Sequence, residues 1–198
     1  MSNIQILLLA AGASRRMKRS KPLLPWKNKP LIVHQIQQLL ATSYPLTVVL
    51  GAKAKDILPE IKDLKITTVV NNHWEDGMGN SLAYGIQAIL KASPNVQGIL
   101  IALVDQPLLT TIHYERILKA FTSNTKQIIV SASKQGVTGP PVLFDAFYFN
   151  ELTQLTADEG AKAVTKKHKE QAVHIAMDSA IQDIDTPEEF ERLRSDRE

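Results

Sequence analysis

Short apolar runs alternate with amphipathic stretches of helical period along most of this chain. That alternation limits its fold more than any other feature. Runs at residues 4–9, 47–50, 66–70, 99–103 and 128–132 are short and apolar enough to be buried strands. Between them, residues 31–41, 55–62, 81–91 and 111–121 carry apolar positions spaced for helices. In the first of these, Leu31, Ile32, Ile36, Leu39 and Leu40 fall on one helical side. Thr110 or Thr111 is placed to cap the last, where a hydroxyl accepts from the exposed first-turn N–H groups. Strand–helix alternation predicts an α/β fold, a mostly parallel sheet with helices on both faces. Right-handed crossovers would put every parallel strand's C-terminal end on one edge, where open α/β sheets bind ligands.

After residue 133 the pattern loosens. Gly136, Gly139, Pro140 and Pro141 precede a short apolar run at 142–144. Helical segments are expected near 146–155 and 160–168, a strand near 172–175, and a final helix from Pro187. No Pro/Gly/Ser-rich linker divides the 198 residues, so one domain is expected, with 1–133 carrying the strand–helix alternation and 134–198 decorating the sheet.

The most specific chemistry lies just after the first run. Leu9, Ala10, Ala11 and Gly12 end it in small residues, and five cations follow within seven positions: Arg15, Arg16, Lys18, Arg19 and Lys21. A strand ending in small residues lets backbone N–H groups approach a ligand, and cations beside them suit a phosphate chain. Arg16 and Lys21 are the expected phosphate contacts, with Arg15, Lys18 and Arg19 as solvated neighbours. The spacing is neither that of a Walker P-loop nor that of a dinucleotide fingerprint.

Three further segments carry candidate polar groups, and the first of them follows a strand end on the same edge. Asp105 follows the run at 99–103 and is suited to Mg2+, which takes oxygen ligands and is shared with phosphates. Residues 71–82 read NNHWEDGMGNSL, in which Gly77 and Gly79 free the backbone and Asn80 or Ser81 could cap a helix. His73 and Trp74 read there as packing or loop residues. Asp183 and Asp185, two apart, would point to one side of an extended chain, and Asp185 could instead cap the last helix. The five histidines show no metal-ligand spacing, and the absence of cysteine excludes thiolate sites.

The net charge of +3 is spread out except in the first loop, which argues against nucleic acid as a partner. No run approaches the ~18 apolar residues of a membrane span, and no leader pattern is visible, so a cytoplasmic location is expected.

The segments LLAAGASRRM with Lys21, NNHWEDGMGNSL, VDQP, GPPVLF, TADEGAKAV and DIDTPEEF stand in order along nearly the whole chain. Together they make the chain similar to the molybdenum-cofactor nucleotidyltransferases, in the cytidylyltransferase branch of the MobA-like group. The resemblance implies a Rossmann-like sheet of the nucleotide-diphospho-sugar transferase type. It implies transfer of CMP from CTP to the terminal phosphate of molybdopterin, with Mg2+ as cofactor and a molybdenum hydroxylase as a client of the product. The family's magnesium aspartate falls on Asp105, with Asp185 as second metal position and Asp183 as its companion. Its phosphate-contacting residues fall on Arg16 and Lys21, its nucleotide-cradling loop on Leu9 to Gly12, and its base-contacting loop on Gly79, Asn80 and Ser81. Ala11 stands where the guanylyl branch has glycine, which favours CTP.

The chain departs from the family's pattern at Lys18, at Gly139-Pro140-Pro141 and at residues 157–162, the last two on the acceptor side. Two other readings stand beside this one: a sugar-phosphate nucleotidyltransferase on the same scaffold and, from the changes near Pro140 and Asp158, a non-catalytic nucleotide- or pterin-binding factor that helps mature a molybdenum enzyme.

Overall fold

The computed structural model describes residues 2–17, 19–133, 136–157, 159–177 and 180–195. In chain order the strands and α-helices are β1 (Ile4–Ala10), β2 (Pro25–Trp26), β3 (Lys29–Pro30), α1 (Leu31–Leu40), β4 (Leu46–Leu50), α2 (Ala54–Ile61), β5 (Thr67–Val70) and α3 (Met78–Ala92). There follow β6 (Gly98–Leu103), α4 (Thr111–Ala120), β7 (Ile128–Ala132), β8 (Thr138–Asp145), α5 (Phe149–Leu152), α6 (Ala161–Lys167), β9 (Ala172–Ala176) and α7 (Pro187–Ser195).

Seven strands form one sheet in the order β5-β4-β1-β6-β8-β7-β9, while β2 and β3 form a small separate ribbon. The pairs β5–β4, β4–β1, β1–β6 and β7–β9 are parallel, and β8 is antiparallel to both its neighbours. The expected mostly parallel α/β sheet is therefore present.

Side-chain alternation along β1 explains the layering. Ile6, Leu8 and Ala10 join a core with Ile32 and Ile36 of α1, Ile57 of α2, Ile117 of α4 and Phe190 of α7. Leu7 and Leu9 point the other way, into a core with Leu82 and Ile86 of α3, Leu152 of α5 and Val164 of α6. Both faces of the sheet are thus covered, as its largely apolar central strands require.

Three expectations need correction. Residues 134–198 do more than decorate the sheet: β8 and β9 are two of its strands, and β8 lies inside it. Its two prolines are tolerated there because the ladder to β6 begins only at Val142, and the ladder to β7 shifts register between Val130 and Ser131. The helix expected at 146–155 is a 3-10 turn followed by the four-residue α5. Finally, neither Asn80 nor Ser81 caps α3. That helix begins at Met78, with Gly77 as N-cap at φ 104°, a left-handed conformation suited to glycine.

Chain order reverses at β1. The chain moves outward from β1 through β4 to β5, then returns to the other side of β1 as β6. The crevice between the C-terminal ends of β1 and β6 is therefore the topological switch point of the sheet, the standard place for a ligand in such folds.

Candidate functional site

A cleft of about 540 Å³ opens at this switch point. Its floor is Leu9, Ala10, Ala11 and Gly12 from β1 and the loop beyond it, with Leu103, Val104 and Asp105 from the end of β6. The two strand ends meet directly, since Leu9 pairs with Leu103 and the Val104 amide donates to the Leu9 carbonyl at 3.3 Å. A Cβ built on Gly12 would touch nothing within 4 Å, so the backbone there is open to the cleft.

The first loop is folded to deliver one ammonium. Ser14 adopts φ 54°, its carbonyl accepts from the Met17 amide at 3.1 Å, and its Oγ accepts from the Lys21 amide at 3.0 Å. Met17 is buried as a plug, which leaves Arg15 and Arg16 exposed at the cleft mouth. Lys21 opens a single 3-10 turn and reaches inward. Its Nζ lies 2.8 Å from Asp105 Oδ2 and 2.7 Å from Asp185 Oδ1. Arg16 completes the cluster, 3.1 Å from Asp185 Oδ2. Lys18 lies outside the described residues.

Asp185 arrives from far along the chain because residue 184 is pinned. The Ile184 amide donates to the Asp105 carbonyl at 2.9 Å and its side chain is fully buried, so Asp183 and Asp185 flank it on the outer side. The helix cap falls instead to Thr186. Its Oγ1 accepts from the Glu189 amide, while Glu189 Oε2 accepts from the amides of Asp185 and Thr186. With capping done by Thr186 and Glu189, the Asp185 carboxylate is left for the cleft. Asp183 is turned elsewhere and accepts from Gln106 Nε2 at 2.9 Å.

Gln106 was not expected in the site and is almost wholly buried. It ties the Asp105 loop to the rest of the protein: its Nε2 also donates to the Pro140 carbonyl, and its own carbonyl accepts from Gln35 Nε2 at 2.6 Å. Tyr114 donates in turn to Gln35 Oε1 at 2.8 Å.

The electrostatics follow from these contacts. Burial alone would lower the Lys21 pKa, but the charge of Asp105 and the hydrogen bonds to both carboxylates outweigh it and raise it. The hydrogen bond from Lys21 holds the Asp185 carboxyl below the usual carboxylate range. Desolvation, with the Asp105 charge next in weight, pushes Asp183 up.

These residues fit a divalent cation. Asp105 Oδ1 is buried with no hydrogen-bond partner, beside a carboxylate pair that already draws one positive charge between its two members. Among the described residues no cluster of three or more His, Cys, Asp or Glu could hold a metal ion. The protein thus offers two carboxylates, enough for an ion that keeps waters and takes substrate phosphates as further ligands. Asp183, already engaged by Gln106, is the poorer donor.

The opposite wall comes from the loop before α3 and the first turn of that helix. Trp74, Glu75, Gly77, Met78 and Ser81 line the cleft. Trp74 was expected as a packing or loop residue, and Met78 was not expected at all; Met78 is 42% exposed, with the methyl end of its side chain against Gly160. A tryptophan and a methionine on either side of a glycine, just before a helix, could have signalled this wall. Of the three expected base contacts, only Ser81 lines the cleft. The Gly79 amide donates to the Ala157 carbonyl at 2.8 Å, and a Cβ there would collide with the carbonyl oxygens of Thr156 and Glu159. Asn80 Oδ1 accepts from Asn71 Nδ2 at 2.9 Å. The neighbouring Asp158, one of the departures from the family's pattern, lies outside the described residues. Among the described residues no helix is long and apolar enough to cross a membrane.

The fold and the cleft define a class: α/β nucleotide-binding proteins with the nucleotide-diphospho-sugar transferase architecture, with cations and carboxylates at the sheet's switch point. The chain belongs to the family of the MobA-like NTP transferase domain, whose pattern matches residues 6–172. Over 95% of its length it is 30% identical to the purine catabolism protein PucB of Bacillus subtilis, covering 94% of that protein. It is 22% identical to the molybdenum cofactor cytidylyltransferase of Escherichia coli, over 96% of this chain and 95% of the other. Among solved structures it matches Rv0371c of Mycobacterium tuberculosis with a TM-score of 0.87 and 25% identity, over 98% of both chains. A second structure of Rv0371c, a complex with manganese, matches at TM-score 0.83 and 23% identity over 98% of this chain and 99% of that one.

Proposed function

We propose that this protein transfers CMP from CTP to the terminal phosphate of molybdopterin, releasing pyrophosphate. The observation that carries the proposal is the meeting of Lys21, Asp105 and Asp185 at the mouth of a nucleotide-sized cleft on the switch point. Ala11 in the first loop and the name of the Escherichia coli relative favour the cytidylyl reaction.

In this reading the triphosphate lies along the backbone of Ala10 to Gly12. Its base rests against the wall of Trp74, Met78 and Ser81. A phosphate oxygen of the acceptor attacks the α-phosphorus. A new P–O bond forms, the bridging bond to the β-phosphate breaks, and its electron pair leaves with pyrophosphate. Arg16 and Lys21 hold the charge that builds on the leaving group, a contribution worth about 3–4 kcal/mol per well-placed donor. Lys21 exchanges its carboxylate partners for phosphate oxygens as it does so. Asp105 and Asp185 would hold Mg2+, which supplies neutralisation of the two anions brought together. A general base is unnecessary because the attacking phosphate is already ionised. The acceptor enters over residues 134–198, where Pro140 is tied to Gln106.

Pyrophosphate release measured with each of the four nucleoside triphosphates, with and without molybdopterin, tests the proposal. Release with CTP only when molybdopterin is present supports it. Release with a sugar phosphate and CTP, but none with molybdopterin, selects the sugar-phosphate reading.

One observation favours a second reading, a nucleotide- or pterin-binding factor that matures a molybdenum hydroxylase. The relative at 30% identity is named for purine catabolism, and oxidation of purines is hydroxylase chemistry. CTP binding without pyrophosphate release, given authentic acceptor, selects it.

A further inference from the structure

Two residues in sequence, Asp105 and Gln106, meet Asp185 and Asp183 on either side of one backbone bond. The Ile184 amide donates to the Asp105 carbonyl at 2.9 Å. Around that bond Lys21 joins Asp105 to Asp185, at 2.8 and 2.7 Å, while Gln106 Nε2 donates directly to Asp183 Oδ1 at 2.9 Å. The other contact of the Gln106 amide, the Pro140 carbonyl at 3.0 Å, can only accept, and so it settles which end of the amide faces which way. The NH2 end faces Pro140 and Asp183, and Oε1 is left buried with no partner among the described residues. An unpaired buried carbonyl is destabilising, and a side chain selected for packing alone would avoid it. What this glutamine supplies is the pair of bonds from its NH2 group. Its own backbone carbonyl is held by Gln35, which is fully buried, so the two bonds are made from a fixed base.

We propose that Gln106 is a positioning residue that aligns the 183–185 segment with the Asp105 loop, so that Asp185 faces Asp105 and the two carboxylates make one cation site. This inference rests on the nucleotidyl-transfer reading and names what builds the metal position within it. The two carboxylates are far apart in sequence, so their separation is set by whatever ties the two segments together. The Ile184 bond and its buried side chain fix where the later segment crosses the loop. The Gln106 bond to Asp183 fixes a second point, and two points set a direction. Asp185 lies two residues beyond Asp183 on the same outer side, so a change of direction there is carried to it. Asp183 is an anchor in this arrangement. Its oxygen is used as a hydrogen-bond acceptor, and its charge is not needed.

The test is calorimetry of CTP binding to the whole chain, once with Mn2+ and once with EDTA. The ratio of the two affinities reads the cation position, while the EDTA arm reads the rest of the cleft. Gln106→Met keeps the length of the side chain and loses both hydrogen bonds. It should reduce the ratio by about tenfold or more, the scale on which groups behind metal ligands act, with CTP affinity in EDTA changed by less than about twofold. Asp183→Ala should give the same loss from the other side of the bond. Asp183→Asn keeps an oxygen for Gln106 and loses only the charge, so it should keep most of the ratio. Gln106→Met added to Asp183→Ala should cost less than about a further twofold, because both variants break one bond.

An unchanged ratio in Gln106→Met or in Asp183→Ala overturns the inference. So does equal weakening in both arms, or full additivity in the double variant. Asp183→Asn losing as much as Asp183→Ala overturns it too, and makes Asp183 a ligand of the cation. If Gln106→Met fails to fold, the two Asp183 variants decide alone. Wild-type protein that binds CTP equally well with Mn2+ and with EDTA overturns the inference and leaves nucleotide binding standing. If the wild type prefers another triphosphate to CTP, the cytidylyl reading fails, and the same ratios score Gln106 with the preferred nucleotide.

Discussion

Replacing Lys21 with alanine should make this protein's stability depend on a divalent cation. In the wild type one ammonium sits between Asp105 and Asp185, at 2.8 and 2.7 Å. Two unit charges about 4 Å apart at an effective dielectric constant of ~20 attract by about 4 kcal/mol, before desolvation is counted. Breaking a buried pair costs about 3–5 kcal/mol, whereas an exposed pair is worth about 0–1. The side chains here are 14%, 20% and 38% exposed, between those limits, which argues for a net loss of about 2 kcal/mol on removal of the lysine. In a domain of this size that lowers Tm by roughly 4–8 °C. The variant then faces two carboxylates with no lysine between them, so a cation can take the lysine's place. At a hundredfold excess over its dissociation constant, a bound cation returns about 2.7 kcal/mol. Scanning fluorimetry without nucleotide, with and without millimolar Mn2+ or Mg2+, should therefore show the variant recovering most of its lost Tm while the wild type moves little. The reasoning is refuted if cation raises both proteins equally, or if Lys21→Ala melts like wild type without cation. Turnover should suffer more than stability in this variant, by about a hundredfold to a thousandfold.

Asp105→Ala should abolish pyrophosphate release by about a thousandfold or more while circular dichroism stays native, and retained activity would remove the carboxylate from the mechanism. His34 gives a pH dependence: burial, with nearby Lys27, lowers its pKa from 6.5 to about 4. The unfolded chain then binds the proton first, so His34 contributes fully above pH 6.5 and its contribution falls as pH drops toward 4, by up to about 3 kcal/mol. Urea unfolding at pH 7, 5 and 4 should show this slope, and His34→Gln should flatten it; an equally steep variant would assign the acid loss to other groups. Thr186→Ala should cost about 1 kcal/mol through loss of the helix cap, read as a shift of the urea midpoint. It should also weaken CTP binding, because the same cap holds Asp185; a stability loss with unchanged binding would uncouple the two.

The parallel core of the fold was legible because β1, β4, β5 and β6 are short apolar runs separated by helices, and local pattern determines such units. Strand β8 was only partly legible. Its first half contains Gly139, Pro140 and Pro141, which read as irregular chain, and only long-range pairing with β6 and β7 makes it a strand. The β2–β3 ribbon, two residues a side, is too short to leave a periodic signal. The start of α3 was misread for a different reason. Asn80 and Ser81 have the chemistry of caps, but Asn71, nine and ten residues earlier, engages both side chains. Within the site, the meeting of Arg16 and Lys21 with Asp105 followed from the rule that parallel strands end on one edge, whereas Asp185 was placed there only by the family resemblance. The direct lysine–carboxylate contacts followed from neither, since they depend on Ile184 pinning a segment some eighty residues beyond Asp105. Gly79 was expected at the base because the resemblance places the family's base-contacting loop there, and its backbone looked unhindered. Here the missing Cβ admits the carbonyls of Thr156, Ala157 and Glu159 instead.

The account depends on one triphosphate lying between the first loop and Asp105. A crystal structure of the protein with CTP and Mn2+, using the anomalous signal of manganese, tests this most directly. The account predicts a manganese peak within coordination distance of Asp105 and Asp185, with Lys21 Nζ moved onto phosphate oxygens above Gly12. A triphosphate bound away from this cleft, or a manganese peak elsewhere with Lys21 still between the two carboxylates, would contradict it.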